Sequence, residues 1–334
     1  MPLPAPSRGA AHEHRRSLLM SDASVLLVAV IWGSSYVVMQ DVGESVSAAS
    51  FLSLRFLTAL PAIALIAAPT LRRITRSELL SGAFFGTLLF GILILETVGV
   101  KHTSAANSGF LITVSVVLIP VLERFISHRR QSVMVYAATV TALIGCGLLV
   151  LEKGLHPQSG DLIILGAALI RATQITLFGR RSGASAAQSL SNLTLVEFVV
   201  VTLLAGAASC FTPEPVWQAA GAVSGQNWLL IAYLGVLGTS YAFFIQLRAA
   251  RTSSSTRVGL ILATEPLFAA VFAVLTAGEG IGLVQGIGGG LIVLAATVGR
   301  HFEGRVAANG PPAQGEEPPR ADRTEVQGRS GTAA

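Results

Sequence analysis

The segment that decides the fold is SAASFLSLRFLTALPAIALIAAP, residues 47–69, which is apolar almost throughout and carries one charged side chain, Arg55. A run of about 20 apolar residues forms a helix long enough to cross the hydrocarbon core of a bilayer. At a rise of about 1.5 Å per residue, Arg55 would lie near the middle of that core, where an arginine costs about 2.5–3.5 kcal/mol. The residue therefore needs a partner inside the protein, either a bound anion or an acidic side chain.

The composition of the whole chain supports a membrane protein. Of its 334 residues, 52% are hydrophobic and 12% are charged, whereas soluble domains carry about 25% charged residues. The apolar runs are long and do not alternate with polar residues, which argues against a transmembrane β-barrel. The formal net charge of +5 is spread over short basic clusters between the runs. Because they form no continuous patch, we expect a lipid bilayer and no nucleic acid as a partner.

Apolar runs of spanning length follow one another along the chain. The ten runs lie near residues 24–40, 47–68, 79–99, 104–126, 132–151, 160–179, 189–209, 228–248, 254–275 and 281–299. We therefore predict an all-α polytopic membrane protein with one transmembrane helix for each run. Between the seventh and eighth runs, residues 216–223 are predicted to form a short interfacial helix.

The loop charges orient these helices. Arginines cluster before the first run, in the even-numbered loops and after the last run, whereas the odd-numbered loops carry acidic residues or a single lysine. By the positive-inside rule, both termini are predicted to be cytoplasmic. Residues 1–23 then form a cytoplasmic segment without the cleavage site of a signal peptide. Residues 300–334 are rich in Pro, Gly, Glu and Arg, so they are predicted to be a disordered cytoplasmic tail.

The two halves of the chain resemble each other. GVKHTSAANSGFLI (99–112) is similar to RAARTSSSTRVGLI (248–261), and IGCGLLVL (144–151) is similar to IGGGLIVL (287–294). The two pairs have different offsets, so the register between the halves stays open. Because five spans is an odd number, residues 24–151 and 160–299 would form two five-helix repeats of inverted topology, an architecture common among transporters.

Five stretches carry a resemblance to a known family. They are IWGSSYVVMQ (31–40), SLRFLTAL (53–60), KHTSAANSGFLITVSVVLIPVL (101–122), YLGVLGTSYAFFIQLRAARTSSSTRVGLILATEPLFAAVFA (233–273) and GEGIGLVQGIGGGLIVLAATV (278–298). In this order they resemble the EamA-type transporters of the drug/metabolite transporter superfamily, and the resemblance extends over residues 24–300. The chain departs from the family pattern at one point: Glu265-Pro266 fits it in the second half, whereas Pro120 in the first half follows no glutamate.

The resemblance implies a 5+5 inverted repeat, a central cavity and secondary active transport of a small organic solute by alternating access. Substrates of the family range over amino acids, nucleobase-type metabolites and drugs, often exported by proton coupling or exchange. We therefore expect an exporter in a bacterial inner membrane that needs no cofactor or metal, with monomer and homodimer both open. The alternative from another class is a membrane scaffold or sensor, or an intramembrane enzyme, although no Ser-His-Asp or HExxH pattern is found in the sequence.

Ionisable residues inside membrane spans are costly and usually mark substrate or proton pathways. The candidate substrate-binding residues are Arg55, Trp32, Ser35, Tyr36, Arg171, Gln174 and Tyr241. The candidates for proton coupling are Glu265, Glu197 and Glu96. Two interpretations stay open for each charge. Arg55 binds a substrate carboxylate or locks two helices in a salt bridge, and Glu265 exchanges a proton or only pairs with Arg171 or Arg55.

Two glycine pairs, each one helical turn apart, predict close helix contacts. Gly82 and Gly86 lie in the third run, and Gly286 and Gly290 lie in the tenth. Small residues at this spacing let helix backbones approach closely within a membrane. We expect both pairs to lie at helix interfaces.

Overall fold

The computed structural model describes residues 8–43, 46–103, 105–126, 131–151, 158–184, 188–277 and 282–309. Every regular element within these ranges is a helix. The first part of the chain contains α1 (Arg8–Gly43), α2 (Ala48–Leu71), α3 (Arg76–Lys101), α4 (Ala105–Ile126) and α5 (Val133–Leu151). The second part contains α6 (Ser159–Ala184), α7 (Leu190–Ser209), α8 (Val216–Ala222), α9 (Gly225–Gly235), α10 (Ala242–Thr252), α11 (Ser255–Leu262), α12 (Glu265–Ala277) and α13 (Leu283–Asn309).

Local capping sets where several helices begin. The Ser47 hydroxyl accepts a hydrogen bond from the Ser50 N–H at 3.2 Å, which caps α2. Thr75 and Glu78 form a capping box, in which each side chain accepts a hydrogen bond from the other residue's N–H. Such caps satisfy N–H groups that have no partner within the helix. They fix the ends of α2 and α3, which frame the predicted site.

Eight helical stretches are long and apolar enough to cross a membrane. They are Leu18–Ser35, Ala48–Leu71, Arg76–Lys101, Ser108–Ile126, Ser159–Arg180, Leu190–Ser209, Gly225–Thr252 and Ser255–Phe272. The fifth and tenth predicted runs correspond to shorter apolar helices, Val133–Leu148 and Leu283–Gly299. Large apolar side chains such as Leu65 and Leu162 are 77% exposed, which suits a surface that faces lipid.

Two predicted spans contain breaks in the regular helix. In the eighth, a π-helical turn, Val236–Tyr241, joins α9 to α10. In the ninth, α11 ends at Leu262 and α12 begins at Glu265. Pro266 cannot donate a backbone hydrogen bond, which explains the second break. Both breaks fall at mid-span, where they change what the backbone presents to the interior.

The last helix extends beyond the tenth apolar run, into the segment predicted to be a disordered tail. Residues 300–309, assigned above to a disordered tail, continue α13 as far as Asn309. Once a helix has formed, each further residue adds a hydrogen bond at little cost, and Arg, Glu and Ala are good helix formers. Residues 310–334 lie outside the described part of the chain. At the other end, α1 begins at Arg8, well before the first apolar run.

The helices pack in a layered bundle. The main pairings are α2 with α7, α3 with α6 and α7, α4 with α6, α5 with α13, and α1 with α12. Gly86 lies at the α3–α7 crossing, where an added Cβ would stand 2.9 Å from the Cα of Glu197. The prediction for the first glycine pair is therefore confirmed. The prediction for the second is wrong, because no described atom lies within 4 Å of a Cβ at Gly286 or Gly290.

Buried polar contacts tie α11 to two helices of the first half, at the end of the bundle that carries the even-numbered loops. The Arg257 guanidinium donates two hydrogen bonds to the Asp22 carboxylate of α1, at 2.9 and 2.7 Å. The neighbouring Thr256 hydroxyl donates to Glu123 of α4 at 2.6 Å. Bidentate arginine–carboxylate pairs are strong and geometrically specific. This end of the bundle is therefore closed by specific contacts.

Candidate functional site

A small central cavity of about 30 Å3 lies where α1, α2, α3, α6, α10 and α12 meet. Two arginines, Arg55 and Arg171, and two glutamates, Glu96 and Glu265, line it. The other polar side chains around it are Ser35, Gln174 and Gln246. Trp32, Met39, Ile92, Leu93 and Phe243 supply the apolar wall. An apolar cavity with a few converging polar groups is typical of a small-molecule site.

The Arg55 side chain of α2 is 4% exposed. Its Nε donates a hydrogen bond to the Thr239 hydroxyl at 2.8 Å, and its Nη2 donates to the Gly238 carbonyl at 3.2 Å. Both acceptors belong to the π-helical turn and are electrically neutral. The arginine is therefore solvated by the protein at these contacts without losing its positive charge.

The Gly238 carbonyl lies within the π-helical turn and accepts hydrogen bonds from two side chains. In an α-helix that carbonyl would accept from the N–H of Ala242, but this N–H bonds to the carbonyls of Leu237 and Thr239. The Gly238 carbonyl accepts from the Nη2 of Arg55 and from the indole Nε1 of Trp32, the latter at 2.8 Å. One backbone carbonyl thus holds two of the predicted site residues.

Arg171 of α6 faces Glu265 at the start of α12. Its Nη2 lies 3.6 Å from the Oε2 of Glu265, and its guanidinium carbon lies 4.7 Å from the centre of the Trp32 ring. A guanidinium over an indole face gains a cation–π interaction. Of the two interpretations of Glu265, the structure contains the ion pair with Arg171, and proton exchange remains a prediction.

Glu96 and Gln174 complete the polar lining. The Glu96 carboxylate of α3 interacts electrostatically with both Arg171 and Arg55. The Gln174 amide donates to the Phe85 carbonyl at 3.2 Å, which holds α6 against α3. The cavity therefore contains two cations and two carboxylates within a largely apolar wall.

Two predicted site residues have other positions, and the side chain of a third is not described. Glu197 does not line the cavity: it is 1% exposed on α7, and neither carboxylate oxygen has a hydrogen-bond partner within the described residues. Tyr241 packs beside an apolar cluster that includes Val28 and Leu247. The side chain of Tyr36 lies outside the described part of the chain.

A second, smaller cavity of about 10 Å3 adjoins the first. Arg171 and Glu265 line both cavities, and the hydroxyl residues Thr113 and Ser115 line the second. The ion pair therefore stands between two spaces. Among the described residues, no group of three or more His, Cys, Asp or Glu side chains is arranged to hold a metal ion.

The sequence did not single out Thr239, Gly238 or Phe243. Thr239 and Gly238 stand in a Gly- and Leu-rich string, VLGTSY at 236–241, that reads as an ordinary helix. No proline lies in the π-helical turn, so the local sequence does not predict that the Gly238 carbonyl contacts Arg55. The sequence feature that pointed to such contacts was Arg55 itself, because a buried arginine requires hydrogen-bond acceptors.

Comparison with known proteins gives the family. The profile of the EamA-like transporter family matches the chain twice, over residues 19–151 and 158–298. The chain belongs to the EamA-like transporter family. The expected resemblance is thereby confirmed, and the apolar helices identify this EamA-like transporter as a membrane protein.

Two relatives of this EamA-like transporter carry transporter names. One, from Archaeoglobus fulgidus, is named an uncharacterized transporter and is 26% identical over 283 residues, which is 84% of this chain and 85% of the relative. The other is the Salmonella typhimurium protein named uncharacterized inner membrane transporter YicL, 26% identical over 298 residues, or 82% of this chain and 93% of the relative. A crystal structure 16% identical in sequence superposes with a TM-score of 0.70 over 86% of this chain and 99% of its own. At that identity the likeness shows the fold alone.

Proposed function

We propose that this EamA-like transporter is a secondary active exporter of a small zwitterionic metabolite, with an amino acid as the substrate class. It works by alternating access in the inner membrane, through proton coupling or exchange. The observation that carries the proposal is the central cavity with two guanidinium groups and two carboxylates. A zwitterion presents one group of each sign, so it can replace the contacts that these side chains make with one another.

Each charged residue has a proposed role. Arg55 attracts the substrate carboxylate, because neutral acceptors hold its guanidinium at the cavity wall. Arg171 and Glu265 exchange partners with the substrate, and Glu265 takes up or releases a proton as its pairing with Arg171 changes. Glu96 supports the substrate amine from α3. Trp32 and Phe243, whose rings are 5.2 Å apart, contact the apolar part of the solute.

The proposed architecture is a 5+5 inverted repeat of ten spans, with residues 24–151 and 160–299 as the repeats and both termini in the cytoplasm. Two successive matches to one family profile support the duplication. The arginines of the even-numbered loops support the orientation. The relative named an inner membrane transporter supports the location.

Transport by purified protein in liposomes tests the function. A thermal-shift panel of amino acids and nucleobases first identifies the compounds that raise the unfolding temperature, because a bound substrate stabilises the folded state. Counterflow of a radiolabelled stabilising compound is then compared among the wild type, Arg55→Ala, Arg55→Lys and Glu265→Gln. We expect the Arg55→Ala rate to fall at least about tenfold, since a charged hydrogen bond contributes about 1.5–3 kcal/mol.

The transport rates of these variants should distinguish substrate binding by Arg55 from proton coupling by Glu265. Arg55→Lys should keep part of the activity, because it retains the charge but not the planar fork. Glu265→Gln should keep exchange of substrate for substrate and lose uptake driven by a pH gradient. Normal transport by both Arg55→Ala and Glu265→Gln in folded protein would refute the site. If no solute in the thermal-shift panel stabilises the protein, the result would favour a scaffold or sensor. If only nucleobases stabilise it, the substrate class would be nucleobases and not amino acids.

A further inference from the structure

The π-helical turn Val236–Tyr241 is the one irregular element of the eighth span within the residues described. It lies across from α2, and the two are joined by several hydrogen bonds. Besides the contacts of Arg55, the Ser240 hydroxyl donates to the Ala59 carbonyl at 2.7 Å. Single-turn π-helical segments occur frequently at functional sites. The turn also contacts two residues of the central cavity, Arg55 and Trp32.

We infer that Thr239 and the Gly238 carbonyl form a seat that orients Arg55 and Trp32, and that this seat makes the cavity selective for a carboxylate over a neutral group. The inference rests on the proposed function, because it explains how the proposed carboxylate site is held. Thr239 is thus a positioning residue, which acts on the substrate through Arg55. No contact between Thr239 and substrate is required.

The hydroxyl of Thr239 is fixed in the orientation that this role needs. It donates its hydrogen to the Leu234 carbonyl at 2.8 Å, so its lone pairs remain for the Nε–H of Arg55, at 2.8 Å. The residue is fully buried. Water therefore cannot easily substitute for the hydroxyl, and an unpaired guanidinium N–H in this environment would be costly.

The same seat also affects the position of Arg171. The Gly238 carbonyl holds the Trp32 indole at 2.8 Å, and Arg171 lies 4.7 Å above that ring. Fixing the indole plane therefore fixes the surface on which the Arg171 guanidinium rests. One turn of backbone thereby positions both cations of the cavity, Arg55 directly and Arg171 through Trp32.

Trp32 offers a direct readout of binding. The chain has three tryptophans, and replacing Trp217 and Trp228 by phenylalanine leaves Trp32 as the only one, with its ring in the cavity wall. Fluorescence of this full-length protein is titrated with L-leucine and with L-leucinamide. The two probes have nearly the same size, and only the first carries a carboxylate.

The variants are Thr239→Val, Thr239→Ala and Thr239→Ser in this background. We expect Thr239→Val to raise the Kd for L-leucine about tenfold, which is the loss expected for one charged hydrogen bond. The Kd for L-leucinamide should change less than twofold, as an order-of-magnitude expectation for a probe that does not use the seat. Thr239→Ser keeps the hydroxyl and should restore leucine binding. If Thr239→Val does not fold, Thr239→Ala carries the same test.

Thr194→Val is the matched control. Thr194 is also fully buried in a membrane helix, and its hydroxyl donates only to the Leu190 carbonyl of its own helix, among the described residues. It should leave both dissociation constants unchanged. Equal leucine affinity of Thr239→Val and the wild type, or equal losses for leucine and leucinamide, would overturn the seat while leaving the cavity site intact. A wild-type protein that shows no saturable response to L-leucine would overturn the proposed amino-acid site and the seat together.

Discussion

Arg55 is held by neutral acceptors, a hydroxyl and a backbone carbonyl. Such acceptors lower the cost of burying the guanidinium while leaving its charge in place. The Glu96 carboxylate also interacts electrostatically with Arg55. Both interpretations of Arg55, as a ligand for a substrate carboxylate and as a link between two helices, remain predictions that the transport assay tests.

The ion pair of Arg171 and Glu265 leads to a prediction about stability. Replacing Arg171 by glutamine leaves the Glu265 carboxylate buried without this cation, and breaking a buried pair from one side costs about 3–5 kcal/mol. We expect the unfolding temperature of the purified protein to fall by about 5 °C. In the double variant Arg171→Gln/Glu265→Gln most of the loss should be recovered, because position 265 then carries an uncharged amide.

Differential scanning fluorimetry of the wild type, both single variants and the double variant measures the coupling. The control is Arg251→Gln, whose guanidinium lies at the edge of the bundle and donates to the Gln188 carbonyl at 2.7 Å. A double variant whose loss equals the sum of the two single losses would contradict the prediction, because it would mean that the two charges do not interact.

At the scale of the helices, the two glycine pairs provide a matched test. A Cβ at Gly86 would meet backbone atoms of Glu197 at 2.9 Å, whereas a Cβ at Gly290 would meet no described atom within 4 Å. Overpacking a helix interface typically costs about 1–3 kcal/mol. Gly86→Ala should therefore lower the unfolding temperature by roughly 2–5 °C, while Gly290→Ala should leave it unchanged or raise it slightly.

Thermal unfolding in the same detergent compares the two alanine variants with the wild type. Alanine is the better helix former of the two residue types, so only the interface can make Gly86→Ala destabilising. Equal stability of the two variants would show that α3 and α7 are not in close contact at Gly86.

The broken spans place polar backbone and side-chain groups at the cavity. The break between α11 and α12 precedes Glu265, and the π-helical turn precedes α10, which carries Phe243 and Gln246. Irregular backbone at membrane depth is tolerated only where protein or a water-filled cavity surrounds it. Both breaks meet this condition, which is why they coincide with the site.

At the scale of the whole molecule, the pair of Arg171 and Glu265 separates two cavities. The buried contact of Asp22 with Arg257 closes the end of the bundle that carries the arginine-rich loops. A transporter that alternates access must open and close its two ends in turn. These contacts are therefore the ones that we expect to change during the transport cycle.

The proposed topology predicts which native cysteine is accessible from outside. Cys210 is exposed at the end of α7, and Cys146 is buried. Because the seventh loop is proposed to be external, a membrane-impermeant maleimide should label Cys210 in intact spheroplasts. In a Cys210→Ser protein with Arg73→Cys, a position exposed in the second loop, labelling should require permeabilised membranes. The reverse pattern would invert the topology.

Several candidates from the sequence line the central cavity, while their roles in binding and proton coupling remain predictions. Arg55, Arg171, Glu96 and Glu265 line the cavity as predicted candidates. Glu197 does not, because the face of α7 that carries it packs against α3 at Gly86. Mid-span depth was visible in the sequence, but the direction of a side chain around its helix depends on the neighbouring helix.

The sequence by itself determined that the chain is a polytopic, all-helical membrane protein, because spans depend on local hydropathy, which the sequence contains directly. The transporter family followed from the resemblance of its sequence to known members. Only the tertiary structure decided which buried polar groups meet. The clearest case is the eighth span, where one extra residue per turn in the π-helical segment rotates the following side chains by about 100°. Phe243 and Gln246 then line the cavity and Tyr241 does not. The Gly238 carbonyl of the same turn accepts a hydrogen bond from Arg55, and the local sequence of the turn does not predict this contact.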